Sequence, residues 1–370
     1  MIEKQLGSTG IEISAIGQGG SVGGYSTSGA TYDNMEEIIR SGIELGMSFV
    51  DTAPVYGDGG SESAVGQAIQ GIRDQVCLAT KIAPENLSRS GVVKSVESSL
   101  RRLQTDIIDL CQVHWSNLNI PMAETMGALA AQIESGNIRT VGVSNFSMTE
   151  LREAQEAIRP YRIESFQGEY NLFDRSLEDD LIPYAEQHQM TVIGYSPLHR
   201  GRITSGKTSR ETLKRISERH GKTNAQVALR WLVTRESVVV IPNTSNPRRV
   251  PENAGSADFD LSNDEIREID NNCIVRPISV PTDSIHVSAD QSANVYRTIE
   301  EAKRNHLHMT PSPVDLAEQI VSGQFLKPVR LVRSYSGLME YDLVEGRIRY
   351  WAWVIAHDGK KPILALVDES

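Results

Sequence analysis

The sequence has few cysteines and no long apolar run, and each shortage excludes a class of protein. Cys77, Cys111 and Cys273 lie far apart without CxxC or Cys/His metal spacing, which indicates buried thiols in a reducing compartment. No uncharged run approaches the roughly 18 residues that a membrane helix needs, and the first ten residues lack the apolar segment of a signal peptide. We therefore expect a cytoplasmic protein that binds neither a metal ion nor a membrane.

Basic clusters are also missing from this chain. The formal net charge is −11, and no tract of Lys and Arg stands out. Proteins that bind nucleic acid need clustered positive charge to neutralise phosphates, so no direct nucleic-acid partner is expected. From Arg276 onward, 11 Lys and Arg stand against 12 Asp and Glu, so nearly all the negative charge precedes that residue.

What the sequence does contain is a regular alternation of short apolar runs and helical patterns. With 370 residues, of which 39% are hydrophobic, the chain can form one large or two medium domains. Eight runs alternating with helices over about 250 residues predict a single (β/α)8 TIM barrel. The runs are ISAIGQ, SFVD, VCLATK, IIDLCQVH, TVGVS, SFQGEY, TVIGYS and SVVVIP.

The barrel pattern ends near Cys273. One of its predicted helices covers residues 177–189, and the last one begins after Ser262, with Glu265 placed to complete a capping box. The next segment, IVRPISVPTDS, has two prolines, and the strand–helix rhythm does not continue beyond it. The sequence thus predicts a barrel domain over residues 1–275 and a second domain over residues 276–370.

Four polar residues follow the ends of three successive predicted strands: Asp51, Tyr56, Lys81 and His114. Active sites of (β/α)8 barrels lie at the carboxyl ends of the strands. A tyrosine has a pKa of roughly 10 and needs a nearby cation to stabilise its phenolate. Lys81 can supply that cation, Asp51 can hold Lys81 charged, and His114 can position a substrate oxygen or share the proton. The pattern predicts a proton-delivery site.

Several motifs in this order resemble the aldo-keto reductase family over residues 1–273. They are DTAPVYG, LATK, the VHW end of the fourth strand, GNIRTVGVSNFS, IGYSPLHRG and IPNTSNPRRVPEN. The resemblance implies reversible hydride transfer between NADPH and a small-molecule carbonyl or alcohol. It also implies that Tyr56 is the general acid, that Lys81 and Asp51 tune it, and that His114 orients the carbonyl oxygen.

The resemblance also assigns residues to the nicotinamide end of the cofactor. Ser144, Asn145 and Gln167 match the residues that hydrogen-bond the carboxamide, and Tyr195 offers an aromatic face for the ring. The other residues implied along the cofactor are Gly19, Gly20, Ser21, Ser196, Leu198, Thr244, Glu252 and Asn253.

The preference between NADP and NAD depends on one segment. Arg249 matches the arginine that holds the adenosine 2′-phosphate, and a planar guanidinium suits a phosphate through bidentate hydrogen bonds. Many family members have Lys or Gly where this chain has Asn243, so use of NAD stays open alongside NADPH and NADP+. For the substrate pocket, Trp115 directly follows the expected active-site histidine, and Tyr25 lies in a Gly/Ser-rich loop.

The second domain resembles the ParB/sulfiredoxin-like α+β fold in VDLAEQIVSGQFLKPVRLV, YDLVEGRIRYWAW and KKPILALV. In that family a Gly/Arg box often binds nucleotide phosphate at a helix N-terminus. Here Gly346, Arg347 and Arg349 occupy the box, Ile348 replaces one arginine, and Arg347 stands at the catalytic cysteine of sulfiredoxins. This favours an accessory or docking module, through which the chain could form a homo-oligomer, over a nucleotide site.

Two other functions stay open from the sequence. The barrel could serve as a non-catalytic NADP-binding regulatory subunit, although all four expected site residues are intact. Alternatively, the protein could be bifunctional, with a C-terminal domain that binds a nucleotide or acts as a small-molecule kinase or nucleotide hydrolase.

Overall fold

A computed structural model describes residues 1–21, 34–199, 201, 207–273, 277–287, 296–307, 309, 311–322, 326–334 and 339–368. These residues form two compact units that divide after Cys273. None of the described helices is long and apolar enough to cross a membrane.

The first unit opens with an antiparallel hairpin of β1 (Glu3–Gln5) and β2 (Glu12–Ser14), which turns at Gly10 with φ +77°. Leu6 and Ile13 on this hairpin are fully buried. They pack in one cluster with Phe49 and Cys77, the first residues of two barrel strands. The hairpin therefore closes the end of the barrel at which the strands begin.

Eight strands pair in parallel, each with its neighbours in the sequence. Ile16 bridges Val240 in parallel, and the amide of Gly17 donates to the Val240 carbonyl at 2.8 Å, so the first and last strands also meet. The fold predicted from the eight apolar runs is thereby confirmed. The strands are β3 (Gln18–Gly19), β4 (Phe49–Asp51), β5 (Cys77–Ile82), β6 (Ile108–Val113), β7 (Ile138–Ser144), β8 (Ile163–Glu169), β9 (Thr191–Tyr195) and β10 (Val238–Val240).

Helices cover the outer face of the strands, and their starts follow capping signals in the sequence. The Ser262 hydroxyl accepts a hydrogen bond from the amide of Glu265, and the Glu265 carboxylate accepts one from the Ser262 amide, so the predicted capping box is present. The helices are α1 (Met35–Glu44), α2 (Gly60–Ala68), α3 (Arg89–Leu103), α4 (Met122–Glu134), α5 (Met148–Ala157), α6 (Leu181–Gln187), α7 (Lys207–His220), α8 (Asn224–Leu232), α9 (Arg249–Ala254) and α10 (Asn263–Asn272).

The helix predicted over residues 177–189 is shorter in the structure. A separate 3-10 turn covers Ser176–Glu178, and α6 begins only at Leu181. Pro183 explains the start, because a proline lacks the amide proton and fits only in the first turn, where amides have no partner in the helix.

The second unit is a mixed sheet with helices. Its strands lie side by side in the order Ile278–Val280, Ile363–Asp368, Val329–Arg333, Tyr341–Glu345 and Ile285–His286. From Pro313 to Asp368 its elements follow the order helix, strand, strand, helix and strand. Membership of the ParB/sulfiredoxin-like family stays a prediction. Its elements are β11 (Ile278–Val280), β12 (Ile285–His286), α11 (Ile299–Arg304), α12 (Pro313–Val321), β13 (Val329–Arg333), β14 (Tyr341–Glu345), α13 (Arg347–His357) and β15 (Ile363–Asp368).

Two tryptophans of α13 differ in their surroundings. Trp351 is buried in the core of the second unit and donates from Nε1 to the Tyr296 carbonyl at 2.9 Å. Trp353 is half-buried, and its Nε1 donates to the Lys361 carbonyl at 3.1 Å. The second unit therefore has a core of its own, as a separate domain requires.

Candidate active site

The carboxyl ends of the barrel strands bring the four expected acid-site residues together. Asp51 is the last residue of β4, Lys81 lies near the end of β5, and His114 directly follows β6. Tyr56, in the loop after β4, places its ring centroid 5.2 Å from Lys81 Nζ and 5.9 Å from the His114 ring. The four side chains are buried, with exposed fractions of 8% or less.

Lys81 is held in place by two hydrogen bonds. Its Nζ donates to Asp51 Oδ2 at 2.5 Å and to the Thr52 carbonyl at 3.0 Å. These bonds direct the ammonium group toward Tyr56, whose ring centroid lies 5.2 Å away. Burial alone would lower the pKa of Lys81, but the charges of Asp51 and Tyr56 raise it overall, so Lys81 is a fixed cation beside the phenol.

The second oxygen of Asp51 is bound by two buried glutamines. Gln167 Nε2 donates to Oδ1 at 2.8 Å, and Gln112 Nε2 donates to the same atom at 3.2 Å. Gln112 is not among the site residues predicted from the sequence. The available signal was the alternation of β6, which places the polar Gln112 on the same inward face as His114 and Leu110.

The pKa of Tyr56 is raised above the usual value for tyrosine, chiefly by burial. The charge of Lys81 lowers it, as the sequence led us to expect, while Asp51 raises it. Burial has the larger effect on this pKa, because the phenolate loses more hydration free energy on leaving water than it gains from the attraction of Lys81. Tyr56 therefore keeps its proton at neutral pH and is ready to act as an acid.

His114 is neutral at physiological pH. Burial, and then the charge of Lys81, hold the pKa of its imidazole well below the usual range. Its ring stacks on Trp115, with centroids 3.8 Å apart and planes 20° from parallel. A neutral imidazole can donate a hydrogen bond but is too weak an acid to give up that proton, so its lowered pKa fits positioning better than proton sharing.

The residues expected at the nicotinamide lie on the next three strand ends. Ser144 ends β7 and Gln167 lies near the end of β8, both buried. Tyr195 ends β9, and its hydroxyl donates to Asn145 Oδ1 at 2.9 Å. Asn145 also donates from Nδ2 to the His114 carbonyl at 3.1 Å, which ties this group to the acid site.

The segment after β3 packs tightly against its own chain. A Cβ atom on Gly20 would lie 2.7 Å from Ser61 Oγ and 3.1 Å from the Asp51 carbonyl, so only glycine fits. Ser21 accepts a hydrogen bond at its carbonyl from the side chain of Asn243, across the ends of β3 and β10. Gly19 lies beside this contact, with Asn243 Cβ 3.5 Å from where its own Cβ would stand.

The segment after β10 carries the residues expected at the adenosine. Arg249 is the first residue of α9 and is exposed, and Glu252 lies one turn later. The Thr244 hydroxyl accepts from the Asn246 amide at 3.0 Å, which shapes the turn before α9. Glu252 accepts at 2.7 Å from the Thr223 hydroxyl.

Other expected residues are distributed around these groups. Ser196 and Leu198 follow β9 directly, Ser196 in a left-handed conformation with φ +49°, and Asn253 is buried in α9. Tyr25 lies outside the described residues. Among the residues that are described, no group of three or more His, Cys, Asp or Glu could hold a metal ion.

In the second unit, Gly346 caps the N-terminus of α13 with φ +89°. Arg347 is the first residue of the helix. Arg349 Nη1 donates to the Lys327 and Pro328 carbonyls at 3.0 and 2.7 Å. The guanidinium of Arg349 thus holds the chain before β13.

Comparison with known proteins identifies the family of the barrel. Residues 15–272 match the model of the aldo/keto reductase family. Methylglyoxal reductase YeaE of Escherichia coli (strain K12) is 35% identical over 262 residues, which cover 70% of this chain and 91% of that protein. Aldo-keto reductase YhdN of Bacillus subtilis (strain 168) is 40% identical over 220 residues, covering 56% of this chain and 66% of that protein.

Solved structures agree with this result. The thermostable aldo-keto reductase Tm1743, crystallised with the inhibitor epalrestat, is 36% identical with a TM-score of 0.68, over 73% of this chain and 99% of that one. An aldo-keto reductase from Klebsiella pneumoniae in complex with NADPH is 32% identical with a TM-score of 0.66, over 73% and 95% of the two chains. The chain therefore belongs to the aldo/keto reductase family.

Proposed function

We propose that Tyr56 is the general acid of an NADPH-dependent reductase that acts on small carbonyl compounds. As a family member the chain is an oxidoreductase of C=O and CH–OH groups that uses NADP. The observation that carries the assignment of Tyr56 is the buried Lys81 ammonium 5.2 Å from its ring centroid, which Asp51 and the Thr52 carbonyl hold in that position.

The acid site delivers one proton to the carbonyl oxygen during reduction. Tyr56 gives up its hydroxyl proton, and Lys81 stabilises the phenolate that forms. Asp51 keeps Lys81 charged in this buried position, because a lone ammonium would be costly to bury. His114, as a neutral imidazole, donates a hydrogen bond that holds the carbonyl oxygen near Tyr56.

The donors and acceptors around the strand ends fit NADPH, which supplies the hydride when bound. Ser144 and Gln167 offer a hydroxyl and an amide oxygen for a carboxamide, and Tyr195 offers a ring fixed through Asn145. Arg249 leaves its guanidinium exposed for a phosphate. The remaining contacts we propose are Gly19, Gly20, Ser21, Ser196, Leu198, Thr244, Glu252 and Asn253.

A direct assay tests this function. The purified full chain is mixed with NADPH and a panel of carbonyls, including methylglyoxal, a sugar aldehyde and an aromatic aldehyde, while the nicotinamide absorbance is followed. Methylglyoxal is included because a relative at 35% identity is named for its reduction. We expect NADPH oxidation that depends on the carbonyl. Tight NADPH binding with no turnover on any member of the panel would favour the regulatory-subunit alternative.

Replacing Arg249 with alanine is expected to raise the KM for NADPH by about tenfold and to leave the KM for NADH nearly unchanged, because only NADPH carries the 2′-phosphate. Arg248→Ala is the matched control, since Arg248 is the exposed neighbour just before α9. Steady-state kinetics with both cofactors provide the measurement. Equal losses for the two cofactors would remove Arg249 from the phosphate site.

For the second unit we propose a ParB/sulfiredoxin-like accessory domain that mediates assembly. Arg349 supports docking over nucleotide binding, because its guanidinium contacts the Lys327 and Pro328 carbonyls and pairs with Glu345 at 3.5 Å. Light scattering on the full chain and on a chain ending at Cys273 should give a larger assembly only for the full chain. A rise in the melting temperature of the full chain with ATP, ADP or CTP would instead support a nucleotide site.

A further inference from the structure

Gln112 is a buried polar residue of the barrel interior that the proposed mechanism does not use. It is fully buried, and its Nε2 lies 3.2 Å from Asp51 Oδ1. Its own Oε1 faces the Ser165 hydroxyl at 3.5 Å. The amide is therefore oriented with its donor end toward the carboxylate.

The barrel makes room for this side chain. Lys81, Gln112, Gly142 and Ser165 pair across β5, β6, β7 and β8 in one row of the sheet. A Cβ atom on Gly142 would lie 2.1 Å from Ser165 Oγ and 3.1 Å from Gln112 Cγ. The empty position at Gly142 thus gives Gln112 and Ser165 the space to lie side by side under the acid site.

We propose that Gln112 is a positioning residue that acts on the general acid through Asp51 and Lys81. This inference rests on the proposed role of Tyr56. Asp51 receives Lys81 on Oδ2 and two amide protons on Oδ1, from Gln112 and Gln167. The two amides fix the carboxylate plane and offset part of its charge, and so set how firmly it holds Lys81.

Loss of the Gln112 donor is expected to raise the pKa of Tyr56. Without the Gln112 donor, the Asp51 carboxylate carries more uncompensated charge, pulls harder on Lys81 and acts more strongly on Tyr56. Both effects disfavour the phenolate, since Asp51 raises and Lys81 lowers the pKa of Tyr56. Among the described residues, Lys81 and Asp51 are the charged groups that act on this phenol, and the neutral His114 faces its ring.

Replacing Gln112 tests this effect without changing a proposed cofactor contact, whereas replacing Gln167 does not. Gln167 bonds the same oxygen but is also expected to contact the nicotinamide, so its replacement would change both. Gln112 lies in the row of Lys81, below the strand end, and has no proposed cofactor contact.

The test compares Gln112→Met with the wild-type chain. Methionine keeps the length of the side chain and removes the donor. We expect kcat to fall about tenfold, and the alkaline pKa in the profile of kcat/KM to rise by about one unit, with the Kd for NADPH unchanged. Gln112→Glu should approach wild-type kcat at low pH, where a protonated carboxyl can donate, and fall below it as the pH rises.

Gln132→Met is the control for a purely structural loss. Gln132 is also buried, but it lies on α4 and accepts only from Asn137 among its described hydrogen bonds. The Gln132→Met substitution should lower the melting temperature without moving the pH profile of kcat/KM. A Gln112→Met protein with a lowered melting temperature and an unmoved pH profile would overturn the inference. If Gln112→Met does not fold, a Gln112→Glu profile that matches the wild type at every pH would overturn it.

Tyr56→Phe, measured in parallel, distinguishes a failure of the role of Gln112 from a failure of Tyr56 as the acid. If Tyr56→Phe is inactive and Gln112→Met behaves as wild type, only the role of Gln112 fails. If Tyr56→Phe retains turnover, the proposed acid itself fails.

Discussion

Tyr56→Phe is expected to lower kcat for carbonyl reduction by about 10²–10⁴-fold while leaving the Kd for NADPH nearly unchanged. The substitution removes only the hydroxyl, because the ring of Tyr56 is buried and a phenylalanine ring fills the same space. Lys81 then has no phenol beside it, and His114 cannot replace the lost acid at neutral pH, because its imidazole is already neutral. Stopped-flow fluorescence gives cofactor binding and steady-state absorbance gives turnover.

Tyr170→Phe provides a matched control for this result. Tyr170 is fully buried, and its hydroxyl donates to Glu178 at 2.6 Å and accepts from Arg235 at 2.9 Å. Its replacement should lower stability and leave turnover in place. Retained turnover in Tyr56→Phe, with the control behaving as expected, would reject Tyr56 as the acid.

Lys81→Met is expected to reduce both turnover and stability. Lys81 is fully buried against Asp51, and removing one partner of a buried ion pair typically costs about 3–5 kcal/mol, because the other charge is left uncompensated. Turnover should fall by about 10²–10⁴-fold, since the phenolate of Tyr56 loses its cation. Urea unfolding gives the free energy and steady-state kinetics give the rate.

The double variant Lys81→Met with Asp51→Asn separates the loss of stability from the loss of turnover. With both charges gone, the free energy of unfolding should recover most of its value, because no isolated charge stays buried. Turnover should stay low. Recovery of turnover together with stability would mean that Lys81 serves the fold and not the acid.

The barrel could be predicted from the sequence because its signals are local. Strands such as β5 and β6 are apolar throughout and buried on both faces, and helices such as α10 carry complete capping boxes. A strand-end polar residue such as Lys81 stands out against such a background. The start of α6 was predicted wrongly, because the apolar pattern around Leu177 continues across a 3-10 turn that precedes Pro183.

The hydrogen bonds and electrostatic interactions within the site could not be predicted in the same way. Gln112 and Gln167 meet at one oxygen of Asp51 because β4, β6 and β8, which are not neighbours in the sheet, all point these side chains into the barrel. The direction in which the pKa of Tyr56 moves also depends on a balance between burial and Lys81, and burial is a property of the folded barrel. Spacing in the sequence identifies the four acid-site residues, whereas the contact of Gln112 with Asp51 and the pKa of Tyr56 depend on the folded barrel.

The most direct test of the account is the pH dependence of kcat/KM measured in both directions, for the wild type and Tyr56→Phe. Reduction needs the protonated phenol, so its rate should be level through neutral pH and fall only in the alkaline range, because the pKa of Tyr56 is raised. Alcohol oxidation needs the phenolate and should rise through the same pKa. One shared ionisation with opposite signs, absent from Tyr56→Phe, is the predicted result. A reduction rate already lost below neutral pH, or the same ionisation in Tyr56→Phe, would contradict it.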